Sequence, residues 1–236
     1  MILVCKTLEH DQHVSEGTRD KLLLTAMHLY ARQGIHEVSL RAISSAAGSR
    51  NSAAMHYHFQ NKLGVLDALA GFIFHHLNEI AAQQQLYRRA QCSQDIGQSI
   101  KLCLLPIIEM ADRYPWGNDA IRFLSRLLAE SKEEFSTITI RHNHKFYQAA
   151  DLFLAGLLPQ LDKQTRQLRI MFMAVNIFHG FAEIASLQRT PLGDLSQIDR
   201  DSLINQLVSY LAGGLQAPMN STMHPPTGDT HERSAL

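Results

Sequence analysis

The chain has 236 residues, with 22 basic and 22 acidic side chains, so its formal net charge is zero at pH 7. Hydrophobic residues make up 45% and charged residues 19%, which is ordinary for a globular protein with a buried core. Because the total charge is balanced, only its local distribution can indicate a polyanionic partner.

The three cysteines, Cys5, Cys92 and Cys103, are widely spaced and odd in number, which predicts neither a disulfide framework nor a zinc site. The apolar run from Ile2 to Cys5 is too short for a signal peptide, and no window has the apolar length of a membrane span. We therefore expect a cytoplasmic protein without a membrane partner.

The N-terminal part begins with a mixed polar segment, residues 1–17, which predicts a flexible arm. Thr18 is a good N-cap for a first helix, Arg19–Gln33. Leucines, alanines and a tyrosine recur there at helical spacing, and Gly34 ends the helix as the residue after its C-cap.

Two short helices follow within a predicted unit of residues 18–62. Ser39 caps the helix Leu40–Ala47, which Gly48 ends. A third helix is predicted at about Ser52–Tyr57. Three short helices cannot bury much core alone, so this unit should pack against the rest of the chain.

The remainder is predicted to be helical, so the fold class is all-α, with an N-terminal helix-turn-helix and a C-terminal helical domain over residues 63–215. Residues 216–236 lack periodicity and predict a disordered tail. The predicted C-terminal helices are Leu63–Arg89, Ile96–Arg113, Asn118–Glu130, Glu134–Leu158, Gln164–Leu187 and Arg200–Leu215.

The most informative segment is the run from Val38 to Leu66, which contains no Asp or Glu although the whole chain has as many acids as bases. A carboxylate on a surface that faces the phosphate backbone would repel it, so the exclusion of acids around short helices favours DNA binding. We interpret the segment as a helix-turn-helix.

The order of motifs resembles the TetR family of bacterial transcriptional regulators over about residues 18–67. This resemblance implies a helix-turn-helix DNA-binding domain followed by a ligand-binding and dimerisation domain. The motifs that carry it are Ala31-Arg32-Gln33-Gly34, Val38-Ser39-Leu40-Arg41-Ala42-Ile43, Ala46-Ala47-Gly48 and Tyr57-His58-Phe59-Gln60-Asn61-Lys62 with Leu66.

The recognition segment departs from the family pattern in two ways. His56 stands where the family's Tyr-x-His-Phe has its tyrosine, and Tyr57 comes one residue later. The connection after Gly48 is also one residue longer. The sequence is therefore similar to a subgroup with an Arg-Asn turn and a Tyr-His-Phe exit.

Candidate base contacts lie at the start of the recognition helix, where side chains reach base edges first. Arg50 can pair with guanine and Asn51 with adenine, although Asn51 is equally explained as a helix cap. Ser52 and Ala53 are small and permit close approach to the groove. His56 can reach a base or a phosphate.

Candidate phosphate contacts flank these positions. Tyr57 offers a hydroxyl donor and Lys62 a point charge. Ser39 and Arg41 open the second helix, where free backbone N–H groups favour a phosphate, although Ser39 is also explained as an N-cap.

A cavity between the C-terminal helices is a second candidate site. Asn176 and His179 interest us most, because they are polar and three residues apart inside an otherwise apolar helix. Plain core packing is the more common role of such residues at helical spacing, so it remains the alternative explanation for each candidate in this half. The candidate ligand-binding residues are Trp116, Phe123, Leu127, Phe146, Met171, Asn176 and His179.

We find no catalytic motif and no metal-ligand spacing, so we expect neither an enzyme nor a cofactor. The favoured hypothesis is a homodimeric transcriptional repressor that binds double-stranded DNA at a palindromic operator. A small, mostly hydrophobic effector of unknown identity would release it. The alternative is a DNA-binding protein of the same fold that recruits a protein partner and binds no inducer.

Overall fold

The computed structural model describes residues 3–49, 53–183, 189–191 and 193–218, and the fold is all-α, as predicted. The helices are α1 Leu3–Gln33, α2 Leu40–Ala46, α3 Ala53–Phe59, α4 Lys62–Gln83, α5 Leu86–Cys92, α6 Ile96–Arg113, α7 Gly117–Leu128, α8 Glu133–Leu157, α9 Lys163–Ala182 and α10 Arg200–Gln216. A short antiparallel ladder pairs β1, Arg189–Thr190, with β2, Gly193–Asp194.

The first helix is longer than predicted, because α1 begins at Leu3 rather than at Arg19. The prediction that Thr18 is an N-cap is wrong, since Thr18 lies inside the helix. Residues 3–17 contain no proline to end the helix, and they lack the apolar stripe on which the sequence-based boundary depended.

The long helix predicted from Leu63 to Arg89 is divided. It ends at Gln83, and Gln85 adopts a left-handed backbone conformation with φ of 50° before α5 begins. The turn places Leu86 in a small buried cluster with Ala81 and Leu102. Burial of Leu86 therefore outweighs continuation of the helix.

The other predicted helices lie close to the observed ones. Helix α6 has the predicted bounds, α7 and α8 differ by one or two residues at both ends, and α10 differs by one residue at its end. Helix α9 ends at Ala182, where the prediction continued to Leu187; residues 184–188 lie outside the described residues. In the described part of the chain, no helix is both long and apolar enough to span a membrane.

The N-terminal unit packs against the C-terminal helices through α1 and α7. Tyr30 of α1 is fully buried, and its ring lies 6.1 Å from that of Phe123 on α7. Arg126 donates from Nε to the Ala31 carbonyl at 3.0 Å, which satisfies a free carbonyl of the last turn of α1. Burial of these side chains gives the small unit the support that the sequence predicted it would need.

Candidate DNA-binding surface and C-terminal cavities

The turn between α2 and α3 is built from local hydrogen bonds and one glycine. The Ser39 hydroxyl accepts from the Ala42 N–H at 3.1 Å and caps α2, as predicted. Gly48 has φ of 82°, a conformation that glycine adopts without strain, and it ends the helix. Ile43 and Met55 are buried beneath the two helices, so their opposite faces remain exposed.

The exposed face contains most of the described candidate DNA contacts. Ser39, Arg41, Ala53 and His56 are exposed, and Tyr57 is 80% exposed. Arg50, Asn51 and Ser52 lie outside the described residues, so their contacts stay predictions.

The orientation of His56 is fixed by its own helix. Its Nδ1 lies 2.9 Å from the Gln60 carbonyl oxygen. A carbonyl only accepts, so Nδ1 must donate, and the neutral ring then offers Nε2 as an acceptor. An exposed acceptor matches a donor on a base edge, such as the amino group of cytosine or adenine.

The C-terminal end of α3, the predicted recognition helix, combines exposed and packed aromatic side chains. Phe59 is buried, and the Arg19 guanidinium lies over its ring at 5.5 Å. Burial, and then the charge of Arg19, lowers the pKa of His58 from its usual value. His58 packs edge-on against Tyr57, with ring centroids 4.9 Å apart, and holds that side chain at the surface.

Lys62 has a structural contact in addition to its predicted phosphate role. Its Nζ donates to the His36 carbonyl at 3.1 Å and lies 6.0 Å from the Tyr30 ring centroid. Partial burial lowers the pKa of Lys62, and the nearby carboxylates of Glu37 and Glu130 oppose this shift. Lys62 therefore ties the start of α4 to the turn after α1.

The junction of α3 and α4 depends on one close backbone approach that sequence reasoning missed. Asn61 caps α4 by accepting from the Gly64 N–H at 3.0 Å. A Cβ atom on Gly64 would overlap the Phe59 carbonyl oxygen. Only glycine permits this angle between the recognition helix and α4.

The predicted ligand-binding residues do not converge on one cavity. Phe123 and Leu127 are core residues of α7, and Trp116 stacks on Tyr114 with ring centroids 4.5 Å apart. Met171 is 42% exposed on the outer face of α9. Only Phe146 lines small internal voids. Helical spacing places apolar residues on a core face without separating those that line a void.

The polar residues of α9 have protein partners. His179 Nδ1 lies 2.6 Å from the buried Ser125 hydroxyl, so it joins α9 to α7. Asn176 donates to the Phe172 carbonyl at 2.7 Å and lines an open groove on the surface. In the structure Asn176 lines this surface groove and His179 bonds to Ser125; an effector contact by either side chain stays a prediction.

Another polar side chain, Asn143 of α8, lies in the interior. It is 1% exposed, and neither amide atom has a hydrogen-bond partner. It lines a void of about 20 Å³ between α4, α6, α8 and α9. In the sequence Asn143 lies within the polar run Arg141-His142-Asn143-His144-Lys145, so no local signal marks it, and its inward direction follows from the packing of α8. Among the described residues, no cluster of side chains is arranged to hold a metal ion.

Helix α9 is apolar on two sides. Its inner side is buried in the core, and its outer side exposes Leu168, Met171, Phe172 and Val175. An open groove of about 540 Å³ runs between this outer side and α10, where Tyr210 is 67% exposed. Leu207 of α10 is half-buried against α9.

The fold and the exposed α2–α3 face define a helix-turn-helix DNA-binding protein with a helical C-terminal domain. A model described as bacterial regulatory proteins of the tetR family matches residues 22–69. A second, described as the tetracyclin repressor-like C-terminal domain, matches residues 102–214. The chain belongs to the TetR family of transcriptional regulators. A search of curated proteins by sequence gave no match.

Solved structures share the fold. NalD from Pseudomonas aeruginosa, the secondary repressor of the MexAB-OprM multidrug efflux pump, is 23% identical, with a TM-score of 0.55 over 86% of this chain and 97% of that chain. FadR from Bacillus subtilis, in complex with stearoyl-CoA, is 14% identical, with a TM-score of 0.56 over 82% and 97%. AibR, in complex with isovaleryl coenzyme A and operator DNA, is 17% identical, with a TM-score of 0.55 over 86% and 100%.

Proposed function

We propose that this protein is a homodimeric repressor that binds a palindromic operator and is released by a small, mostly hydrophobic molecule. The outer side of α9 carries the proposal, because Leu168, Phe172 and Val175 are exposed together beside an open groove. A contiguous apolar surface of this kind indicates an interface. The same surface on a second copy would cover it in a two-fold contact.

Dimerisation would place two recognition helices in successive major grooves. Half-sites would then lie about 34–36 Å apart. His56 and Tyr57 are exposed on the face that would meet the DNA. The contact residues proposed for each half-site are Ser39, Arg41, Arg50, Asn51, Ser52, Ala53, His56, Tyr57 and Lys62.

Release by an effector is supported by the interior of the C-terminal domain. Asn143 is buried without a partner, and a bound molecule could provide one. Two structural relatives were solved with acyl-CoA ligands, one of them together with operator DNA. The alternative function, recruitment of a protein partner without an inducer, would use the α9–α10 surface, which the second copy occupies in our proposal.

The oligomeric state tests the interface. We expect Phe172→Glu or Tyr210→Glu to give monomers by light scattering at about 10 µM, because a charge would be buried at the contact. Ile140→Glu is the matched control, since Ile140 is 66% exposed on α8, away from the groove. A wild-type monomer at this concentration would contradict the proposal.

Selection of DNA from a random library tests the operator. We expect the wild-type protein to enrich inverted repeats with half-site centres one helical turn, or a multiple of it, apart. The Phe172→Glu monomer should bind the selected DNA much more weakly, because one half-site supplies only part of the contact energy. Enrichment of sequences without two-fold symmetry would contradict the proposed homodimer.

A further inference from the structure

Two neighbouring voids in the C-terminal domain share one wall. One, of about 20 Å³, lies between α4, α6, α8 and α9, and the other, of about 10 Å³, lies between α5, α6 and α8. Cys103, Pro106 and Phe146 line both. Neither void is larger than about one or two water molecules. The Phe146 ring is thus part of the wall that the two voids share.

Asn143 gives the larger void a polar anchor. Its amide is buried, lines the void and has no hydrogen-bond partner. The Tyr147 hydroxyl, one helical turn away, is also buried. It forms no hydrogen bond of good geometry, but it lies close enough to Asn143 for that amide to oppose the rise in the pKa of Tyr147 that burial causes. An unpaired amide in an apolar interior destabilises the folded protein, and a ligand that pairs with it restores that free energy.

The remaining walls are neutral and largely apolar. Phe74, Leu77 and Phe178 line the larger void together with the neutral amide of Asn78, and among the described residues that line either void none is ionic. Burial raises the pKa of the Cys103 thiol to about 12, so this group also stays uncharged. A ligand with a formal charge would find no countercharge here.

We infer that the two voids form one effector site, which opens when Phe146 turns and takes an uncharged, mainly apolar molecule whose single amide-type group pairs with Asn143. This inference rests on the proposed function, because it names the chemical class of the effector that releases the DNA.

The same helix connects this site to the DNA-binding unit. Arg141 and His142, next to Asn143 in the sequence, contact the Asp67 carboxylate of α4 at 2.8 and 3.0 Å. The ring of His142 also lies against Gly71 of α4. A ligand that moves α8 around Asn143 therefore moves its contacts with α4, which begins directly after the recognition helix.

The test compares two probes of similar shape, benzamide and toluene, by calorimetry without DNA. Phe146→Ala removes the dividing ring, and we expect this variant to bind both probes. Adding Asn143→Leu should shift the ratio of the two dissociation constants at least tenfold in favour of toluene. Asn118→Leu in the Phe146→Ala background is the control, because Asn118 is exposed at the start of α7; it should leave the ratio unchanged.

Two results would overturn the inference: Phe146→Ala binds neither probe, or the ratio does not respond to Asn143→Leu. If Phe146→Ala does not fold, Phe146→Leu replaces it. In the otherwise wild-type chain, Asn143→Leu should raise the melting temperature, because it removes the unpaired amide, and a lowered melting temperature would count against the site. Asn143-dependent binding that fails to release operator DNA would support the site but contradict the proposed function.

Discussion

His36 Nε2 lies 2.8 Å from a carboxylate oxygen of Glu130, and this contact joins the turn after α1 to the end of α7. A second pair, His28 and Asp119, repeats the arrangement two turns earlier along α1 at 2.7 Å. Lys62 at the start of α4 donates to the carbonyl of the same His36. The turn after α1 therefore contacts both the start of α4 and the end of α7. The DNA-binding unit is thus held by α7 as well as by α4.

Removal of both carboxylates should loosen this attachment without unfolding the protein. Each histidine is about half exposed, so each pair contributes at most about 1 kcal/mol. We expect Asp119→Ala with Glu130→Ala to accelerate hydrogen exchange over residues 34–38, measured by mass spectrometry. Glu134→Ala, at an exposed position of α8, is the control. Unchanged exchange in the double variant would show that the buried contact of Tyr30 with Phe123 is sufficient to hold the DNA-binding unit against α7.

The sequence predicted the helices well where an apolar stripe or a cap marks them. Helix α6 has the predicted bounds because Asp95 caps it and Tyr114-Pro115 follows it. The polar start of α1 carries no stripe, so its helix could not be recognised. The break at Gln85 depends on where Leu86 is buried, which is a tertiary property.

Of the two candidate sites, one could be predicted from local sequence and the other depends on tertiary packing. The exposed α2–α3 face follows from local sequence, since Ser39 and Gly48 fix the turn and the acid-free run marks the surface. The proposed effector site does not, because the sequence marks Asn176, which lies in an apolar helix, and does not mark Asn143, whose neighbours in the sequence are polar. Only packing shows that Asn143 points into the core and Asn176 into a surface groove.

Gly64→Ala should abolish operator binding. A Cβ atom would overlap the Phe59 carbonyl oxygen, so α3 must move relative to α4, at a cost of about 1–3 kcal/mol or more. Dimerisation through α9 and α10 should persist in light scattering. Gly156→Ala is the matched control, because its Cβ would meet no atom within 4 Å and alanine favours a helix by about 1 kcal/mol. Normal operator affinity of Gly64→Ala would mean that the junction tolerates the shift.

Arg50 and Arg41 should have different effects on DNA binding. We expect Arg50→Ala to cost about 1–3 kcal/mol at one base position and to relax specificity there. Arg41→Ala should weaken binding to all sequences alike and reduce the slope of log affinity against log salt by about one. Arg88→Ala, at an exposed position of α5, is the control. Gel-shift titrations at several salt concentrations distinguish these outcomes, and equal behaviour of the two variants would contradict the assignment.

The thiol of Cys103 should resist alkylation in the folded protein. Burial raises its pKa to about 12, and the thiolate is the reactive form, so iodoacetamide at about pH 8 should modify the exposed Cys92 far faster. The measurement is peptide mass spectrometry in a Cys5→Ser background. Phe146→Ala should accelerate modification of Cys103 by opening its cavity, while in denaturant both cysteines should react at similar rates. Rapid modification of Cys103 in the folded wild type would contradict its burial.

Acidification should destabilise the DNA-binding unit through His58. Burial, and then the charge of Arg19, lowers its pKa from the usual value of 6.5, so the unfolded chain binds this proton more readily than the folded one. The contribution to stability is therefore complete above about pH 6.5 and declines as the pH falls below it. We expect His58→Gln to reduce the loss of melting temperature between about pH 7 and pH 5, whereas His144→Gln, exposed on α8, should not. The direct measurement is an NMR titration of the imidazole, and a midpoint at or above 6.5 would show that His58 is not held in its neutral form.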